Sequence, residues 1–253
     1  VKQSGTNNEA ILETRNLTKH FGALTAINRV DLRIGPGVHS VIGPNGAGKT
    51  TLFNLLTGFL AADRGQVIYR GKEITGTPPY RISMLGIARS FQITSIFPDL
   101  SVYENIRVAV QSRLRASYNF LISYRSLKDV DAKTRKVIGQ VGLEDWADLQ
   151  AKNLPYGLQR CLDIGVCLAT DPKLVLLDEP TSGVSREDTR NILELIAGVS
   201  KEVPVVLIEH NIDVVLAVSD MITVLYQGVV LSEGPPAAII ADEKVQEAYL
   251  GGY

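Results

Sequence analysis

The eight residues Gly43-Pro44-Asn45-Gly46-Ala47-Gly48-Lys49-Thr50 constrain this chain more than any other feature. They follow a short apolar run, 38–42, and open a stretch of helical periodicity from Lys49 to Leu56 that Gly58 stops. Strand, glycine-rich turn and helix in that order make a phosphate-binding loop. The glycines let successive backbone N–H groups face one centre, and the helix N-terminus beyond adds a positive end for the same anion. Lys49 is expected to reach the β- and γ-phosphates, and Thr50 to place its hydroxyl on Mg²⁺. The loop specifies a nucleoside triphosphate and leaves ATP and GTP open.

A second apolar run, 174–177, leads into Asp178-Glu179-Pro180. Continuous burial is what a strand covered on both faces requires, and its C-terminal edge is where α/β sheets bind ligands. Asp178 is therefore expected to hold Mg²⁺ through water. Glu179, one step further, is expected to orient and polarise the attacking water as a general base. His210 follows another apolar run, 205–208, and its ring nitrogens could bridge a γ-phosphate oxygen and a backbone carbonyl. Gln92 ends the apolar run 87–91, where its amide could reach Mg²⁺ or the attacking water. Taken singly, a polar histidine after a strand is weak evidence, and Gln92 reads equally well as an ordinary strand-end glutamine.

The remaining sequence bounds the setting. With 253 residues, 45% hydrophobic and 21% charged, the chain suits one large α/β unit or a core with a modest second lobe. A net charge of −1 gives no basic footprint for a phosphate backbone, so no nucleic-acid partner is expected. No apolar run reaches membrane-spanning length, and residues 1–9 lack a signal-peptide core. The two cysteines, Cys161 and Cys167, read as small core hydrophobes of a protein in a reducing compartment.

Alternating or apolar strand patterns are expected at 10–16, 27–34, 66–69, 221–226 and 229–231. Short helices are expected at 78–86 and 242–250, and mostly helical periodicity over 99–151 suggests a lobe inserted into the core. Residues 113–129 fit no clean period and their fold stays open. The expected fold class is α/β: a P-loop NTPase core of mixed, mainly parallel sheet, with an antiparallel β subdomain and an inserted helical lobe. Residues 1–253 form one domain in this reading. Its core is 10–92 and 152–235, with a helical subdomain at 93–151 and a C-terminal helical tail at 236–253.

These features, in this order, resemble the nucleotide-binding domain of the ABC ATPases. The resemblance spans about residues 12–234 and rests on Gly43 to Thr50, Phe91-Gln92, Leu154-Pro155-Tyr156-Gly157-Leu158-Gln159-Arg160, Leu177-Asp178-Glu179-Pro180, Gly183 and Glu209-His210. It implies that Phe21 stacks on adenine. It also implies that Asn45, Gly46, Ala47, Gly48, Lys49, Thr50 and Thr51 bind the ATP phosphates. Thr50, Gln92 and Asp178 then serve Mg²⁺, and Glu179, His210, Gln92 and Lys49 serve hydrolysis. In that family two domains pack head to tail, so Pro155, Tyr156, Gly157 and Gln159 would meet the partner's ATP.

More closely, the chain is similar to the branched-chain amino acid import ATPases of the LivG type. The pointers are Leu56-Thr57-Gly58-Phe59, Ala88-Arg89-Ser90-Phe91-Gln92, the run from Leu100 to Asn105, the long insertion near 113–129, the run from Ile208 to Val215, and the tail Ala248-Tyr249-Leu250-Gly251. That resemblance implies a second ABC ATPase subunit, in a homo- or heterodimer, and transmembrane permease subunits gripped beside Gln92 and residues 93–110. It further implies a substrate-binding protein, and a peripheral place on the cytoplasmic face of the inner membrane. Urea and amide importers share these features. A soluble ABC ATPase of translation or DNA repair, or a nucleotide-binding subunit with little hydrolysis, are the other readings.

Two positions depart from the family pattern. Pro155 stands where a serine is usual, which removes a hydroxyl and a backbone N–H from the signature loop. An unpaired phosphate oxygen there would cost about 1–3 kcal/mol. Ser185 stands where many members carry an aspartate.

Overall fold

The structure is a computed structural model that describes residues 10–90, 96–113 and 124–250, with the backbone alone at 124–127 and 249–250. In chain order it begins β1 (Leu12–Phe21), β2 (Leu24–Ile34), β3 (Val38–Ile42), α1 (Lys49–Leu56), β4 (Arg64–Tyr69), β5 (Lys72–Glu73) and α2 (Pro79–Met84). The middle comprises β6 (Ile87–Arg89), α3 (Val102–Ser112), α4 (Tyr124–Gln140), α5 (Tyr156–Ala169), β7 (Leu174–Asp178) and α6 (Arg186–Ser200). The last part is β8 (Val205–Ile208), α7 (Ile212–Val218), β9 (Met221–Tyr226), β10 (Val229–Gly234), α8 (Pro236–Ala241) and α9 (Glu243–Leu250). Two compact units result: the chain up to Leu85 with that from Ser200 onward, and Gly86–Val199 between them.

The first unit contains an antiparallel sheet in the order β2-β1-β4-β5 and the strands β10-β9-β3-β8. β3 runs parallel to both β8 and β9, and β10 is antiparallel to β9, so this sheet is mixed. Every residue of β3 and β8 is buried, as strands covered on both faces must be. By contrast Ile27, Val30, Leu32 and Ile34 of β2 are buried between exposed neighbours, which marks a strand with one wet face. The turn between β4 and β5 has Arg70 at φ 49° and Gly71 at φ 75°, the left-handed pair that a tight hairpin demands. Ile239 of α8 and Val245 of α9 complete an apolar core with Ile42, Val215, Ile222 and Val224.

In the second unit β6 and β7 pair in parallel, from Ile87 opposite Leu174 to Arg89 opposite Leu176. The helices α3, α4 and α5 pack on one another to form the helical lobe. Ser101 starts α3 with a reciprocal cap: its hydroxyl accepts from Glu104 N, and the Glu104 carboxylate accepts from Ser101 N. The architecture is the P-loop NTPase core with a mixed sheet, an antiparallel subdomain and a helical lobe.

Some boundaries differ from the sequence reading for a local reason. β1 continues past Asn16 to Phe21, because Asn16 takes φ 49° at a bulge, not at a strand end. β7 includes Asp178, and β10 extends to Gly234. α4 begins at Tyr124, inside the stretch left open. Residues 114–123 lie outside the described residues.

Candidate functional site

The phosphate loop belongs to the first unit, and its backbone explains its glycines. Gly43 has φ 154°, and a Cβ there would run into the Leu225 carbonyl. Gly48 caps α1 at φ 105°, where a Cβ would lie 2.6 Å from the Ala26 carbonyl oxygen. Both positions exclude a side chain on conformation and on space. The loop is fastened from outside as well. Gly228 N donates to the Ala47 carbonyl at 3.0 Å, and Asn28 N to the Gly228 carbonyl at 2.8 Å.

Lys49 begins α1, and its ammonium donates to the carbonyls of Gly43 at 2.7 Å and Pro44 at 3.1 Å. The charge is thereby held over the loop that the helix N-terminus faces. Asn45, Gly46 and Thr50 are exposed, Thr51 is half-buried, and Ala47 is buried. Phe21 ends β1 with 47% of its surface exposed, and the Lys19 ammonium lies 5.7 Å from its ring centre. An exposed aromatic at a strand end can take a flat ligand.

His210 follows β8 and is exposed, whereas Glu209 before it is fully buried. His210 N donates to the Glu209 carboxylate at 3.3 Å. Asn211 then caps α7 through its carbonyl oxygen, which accepts from Asp213 N and Val214 N. The His210 N–H is thus held by its buried neighbour, and its side chain is 57% exposed.

The carboxylates lie in the second unit. Asp178 ends β7 and is buried, and its Oδ2 accepts from Arg89 Nη2 at 2.9 Å. Its N–H donates to Ser90 Oγ at 3.2 Å. Glu179 has φ 50°, a left-handed conformation uncommon for a residue with a long side chain. The turn that follows closes with Ser182 N on the Glu179 carbonyl at 3.1 Å. Backbone strain of this kind gathers at functional sites. Gln92 lies outside the described residues.

The signature loop belongs to the same unit. Pro155 precedes α5 at φ −51°, within the range its ring imposes, and its carbonyl accepts from Gln159 N at 3.0 Å. The helix starts intact despite the proline. The Gln159 amide donates to the Leu154 carbonyl at 2.9 Å and closes its own loop. Tyr156 is exposed, with Arg160 donating to its hydroxyl at 2.6 Å.

A Cβ on Gly157 would collide with the Asp188 carboxyl. Asp188 in turn accepts from Ser185 Oγ at 2.7 Å, while its N–H donates to the same oxygen at 3.1 Å. Ser185 therefore ties the start of α6 to the carboxylate that packs on the signature loop. Cys161 and Cys167 are buried in α5, where burial pushes the Cys161 thiol up to about 11 and raises that of Cys167 well above the ordinary thiol value. They act as core residues.

Sequence reasoning gave no role to Arg89, the φ of Glu179, or Asp188. Arg89 carried a usable signal: a charge inside the apolar run 87–91 must find a partner. Asp188 carried none, because it sits in an ordinary amphipathic helix.

Comparison with known proteins places these features in a family. A family model described as ABC transporter matches residues 27–182. Another, described as branched-chain amino acid ATP-binding cassette transporter, matches residues 229–253. The high-affinity branched-chain amino acid transport ATP-binding protein BraF of Pseudomonas aeruginosa is 39% identical, over 95% of this chain and 98% of its own. The corresponding LivG protein of Escherichia coli K12 is 36% identical, over 96% and 98%. A nucleotide-free ATP-binding cassette from an ABC transporter superposes with a TM-score of 0.82 at 30% identity, covering 95% of this chain and 98% of that one.

Proposed function

The chain belongs to the ABC transporter ATPases, and on that premise we propose that it drives import of branched-chain amino acids as one of two ATPase subunits packed head to tail. The observation that carries the substrate class is similarity to branched-chain amino acid transport proteins over nearly the whole length of both chains. The enzyme is a P-loop ATPase. Its partners, in this reading, are a second ATPase subunit, transmembrane permeases and, through them, a substrate-binding protein. Its place is the cytoplasmic face of the membrane. Among the described residues no helix is long and apolar enough to cross one.

The residue roles follow from chemistry. Lys49 exchanges the Gly43 and Pro44 carbonyls for β- and γ-phosphate oxygens, with the N–H groups of 45–51 around them. Phe21 stacks on adenine. The donors assigned to the metal are oxygens: the Thr50 hydroxyl, the Asp178 carboxylate and the Gln92 amide. Such a set fits Mg²⁺, a hard cation that takes oxygen ligands and is held by one or two carboxylates together with waters and the phosphates. When bound, Mg²⁺ would neutralise charge that builds on the phosphates. Glu179 accepts a proton from the attacking water, and His210 holds the γ-phosphate. On the neighbouring subunit, Tyr156, Gly157 and Gln159 close over the nucleotide, and Pro155 contributes no donor. The helical subdomain at 93–151 moves with nucleotide state and transmits it to the permease.

The test is reconstitution in proteoliposomes with the permease subunits and binding protein. Leucine-loaded binding protein is expected to stimulate ATP hydrolysis, and Lys49→Ala to abolish it. Stimulation by urea or amides alone would reassign the substrate. Co-purification with ribosomes or DNA and no permease would reject the transporter reading.

A further inference from the structure

The Asp178 carboxylate is already neutralised before any metal reaches it. Arg89 Nη2 lies 2.9 Å from Oδ2, and the two side chains are 7% and 6% exposed, so this is a buried ion pair. The last residue of β6 and Ser90 after it grip the end of β7 with three contacts. Arg89 takes the carboxylate, Ser90 Oγ accepts from Asp178 N at 3.2 Å, and Ser90 N donates to the Leu176 carbonyl at 2.9 Å. The pair engages Oδ2 and leaves Oδ1 as the atom for a cation or its hydration water.

A buried carboxylate without a counter-charge is a strong divalent-cation site, and one paired with a guanidinium is a weak one. We propose that Arg89 is a positioning residue that holds and neutralises Asp178, so that a divalent metal is bound only together with the triphosphate. The proposal rests on the reading of Asp178 as a metal carboxylate. Arg89 acts on the metal through Asp178. It orients the carboxylate by a charge-assisted hydrogen bond, and it repels a free cation that arrives without phosphate oxygens to compensate. Loss of the guanidinium should therefore tighten binding of the metal alone, the reverse of what simple structural damage would do.

Electron paramagnetic resonance of Mn²⁺ with the full chain tests this. Without nucleotide, wild type is expected to bind Mn²⁺ weakly and Arg89→Gln at least about tenfold more tightly. The double variant Arg89→Gln/Asp178→Asn is expected to return to the wild-type level. Equal or weaker binding by Arg89→Gln overturns the proposal, as does a gain that survives in the double variant. If Arg89→Gln does not fold, Arg89→Met, which keeps the apolar stem and drops the charge, should show the same gain, and no gain overturns the proposal. A separate arm examines the underlying reading: with a non-hydrolysable ATP analogue, Asp178→Asn should weaken Mn²⁺ binding. If that variant binds as wild type does, Asp178 is not a metal carboxylate.

Discussion

His39 sits in β3, four residues before the phosphate loop, and is buried. Its Nε2 lies 2.7 Å from Thr223 Oγ1, and that hydroxyl donates to the Glu233 carboxylate at 2.8 Å. Since the single hydroxyl proton goes to Glu233, the Nε2 proton of His39 must point at Thr223. Burial holds the imidazole neutral and pushes its pKa down to about 4. The unfolded chain takes up this proton near pH 6.5 and the folded one only near pH 4. Stability is therefore full above pH 6.5 and is lost as pH falls through that window, by on the order of 3 kcal/mol from this group. Chemical denaturation across pH 4–7 should show the loss, and His39→Gln should flatten it.

Gly43 makes a second prediction at this scale. Gly43→Ala forces a left-handed backbone and a clash with Leu225, so it should cost about 2 kcal/mol or more and weaken nucleotide binding. A normal melting temperature with normal ATP affinity would contradict the geometry given for the loop.

At the scale of elements, α3 shows how local chemistry sets a boundary. Removing the Ser101 hydroxyl leaves Glu104 N without its cap, so Ser101→Ala should lower stability by about 1 kcal/mol, read from denaturant midpoints. The elements were legible in the sequence where one signal dominated. Val38–Ile42, Lys49–Leu56, Val205–Ile208 and Met221–Tyr226 are bounded as their apolar patterns and glycine stops predict. β1 runs five residues beyond the expected 10–16, because the bulge at Asn16 interrupts the strand pattern without ending the strand. Arg89 and Asp188 stayed hidden because their meaning lies in residues 89 and 31 positions away in the chain. Local sequence declares a turn or a run, whereas a long-range ion pair or a packed carboxylate needs the fold.

At the scale of the whole molecule, the chain reads as an incomplete machine. In the proposed reading its phosphate loop supplies only part of an ATP site, and its own signature loop, from Leu154 to Gln159, would serve a neighbour. Pro155 lacks a donor there, yet Tyr156, Gly157 and the α5 N-terminus are in place. In a heterodimer the site completed by this loop is expected to be the weaker of two, and single-site ATP occupancy in the assembled complex would reveal it. Equal affinities would remove that asymmetry from the picture.

The most direct measurement combines binding, turnover and association in one variant. Glu179→Gln removes the proposed general base while leaving the phosphate loop intact, so hydrolysis should fall about 10²–10⁴-fold. With ATP and Mg²⁺, and with the partner ATPase subunit if the dimer is a heterodimer, light scattering should then show a stable dimer that retains ATP. A variant that stays monomeric with ATP bound, or one that hydrolyses ATP at the wild-type rate, would contradict an ATP-driven head-to-tail motor.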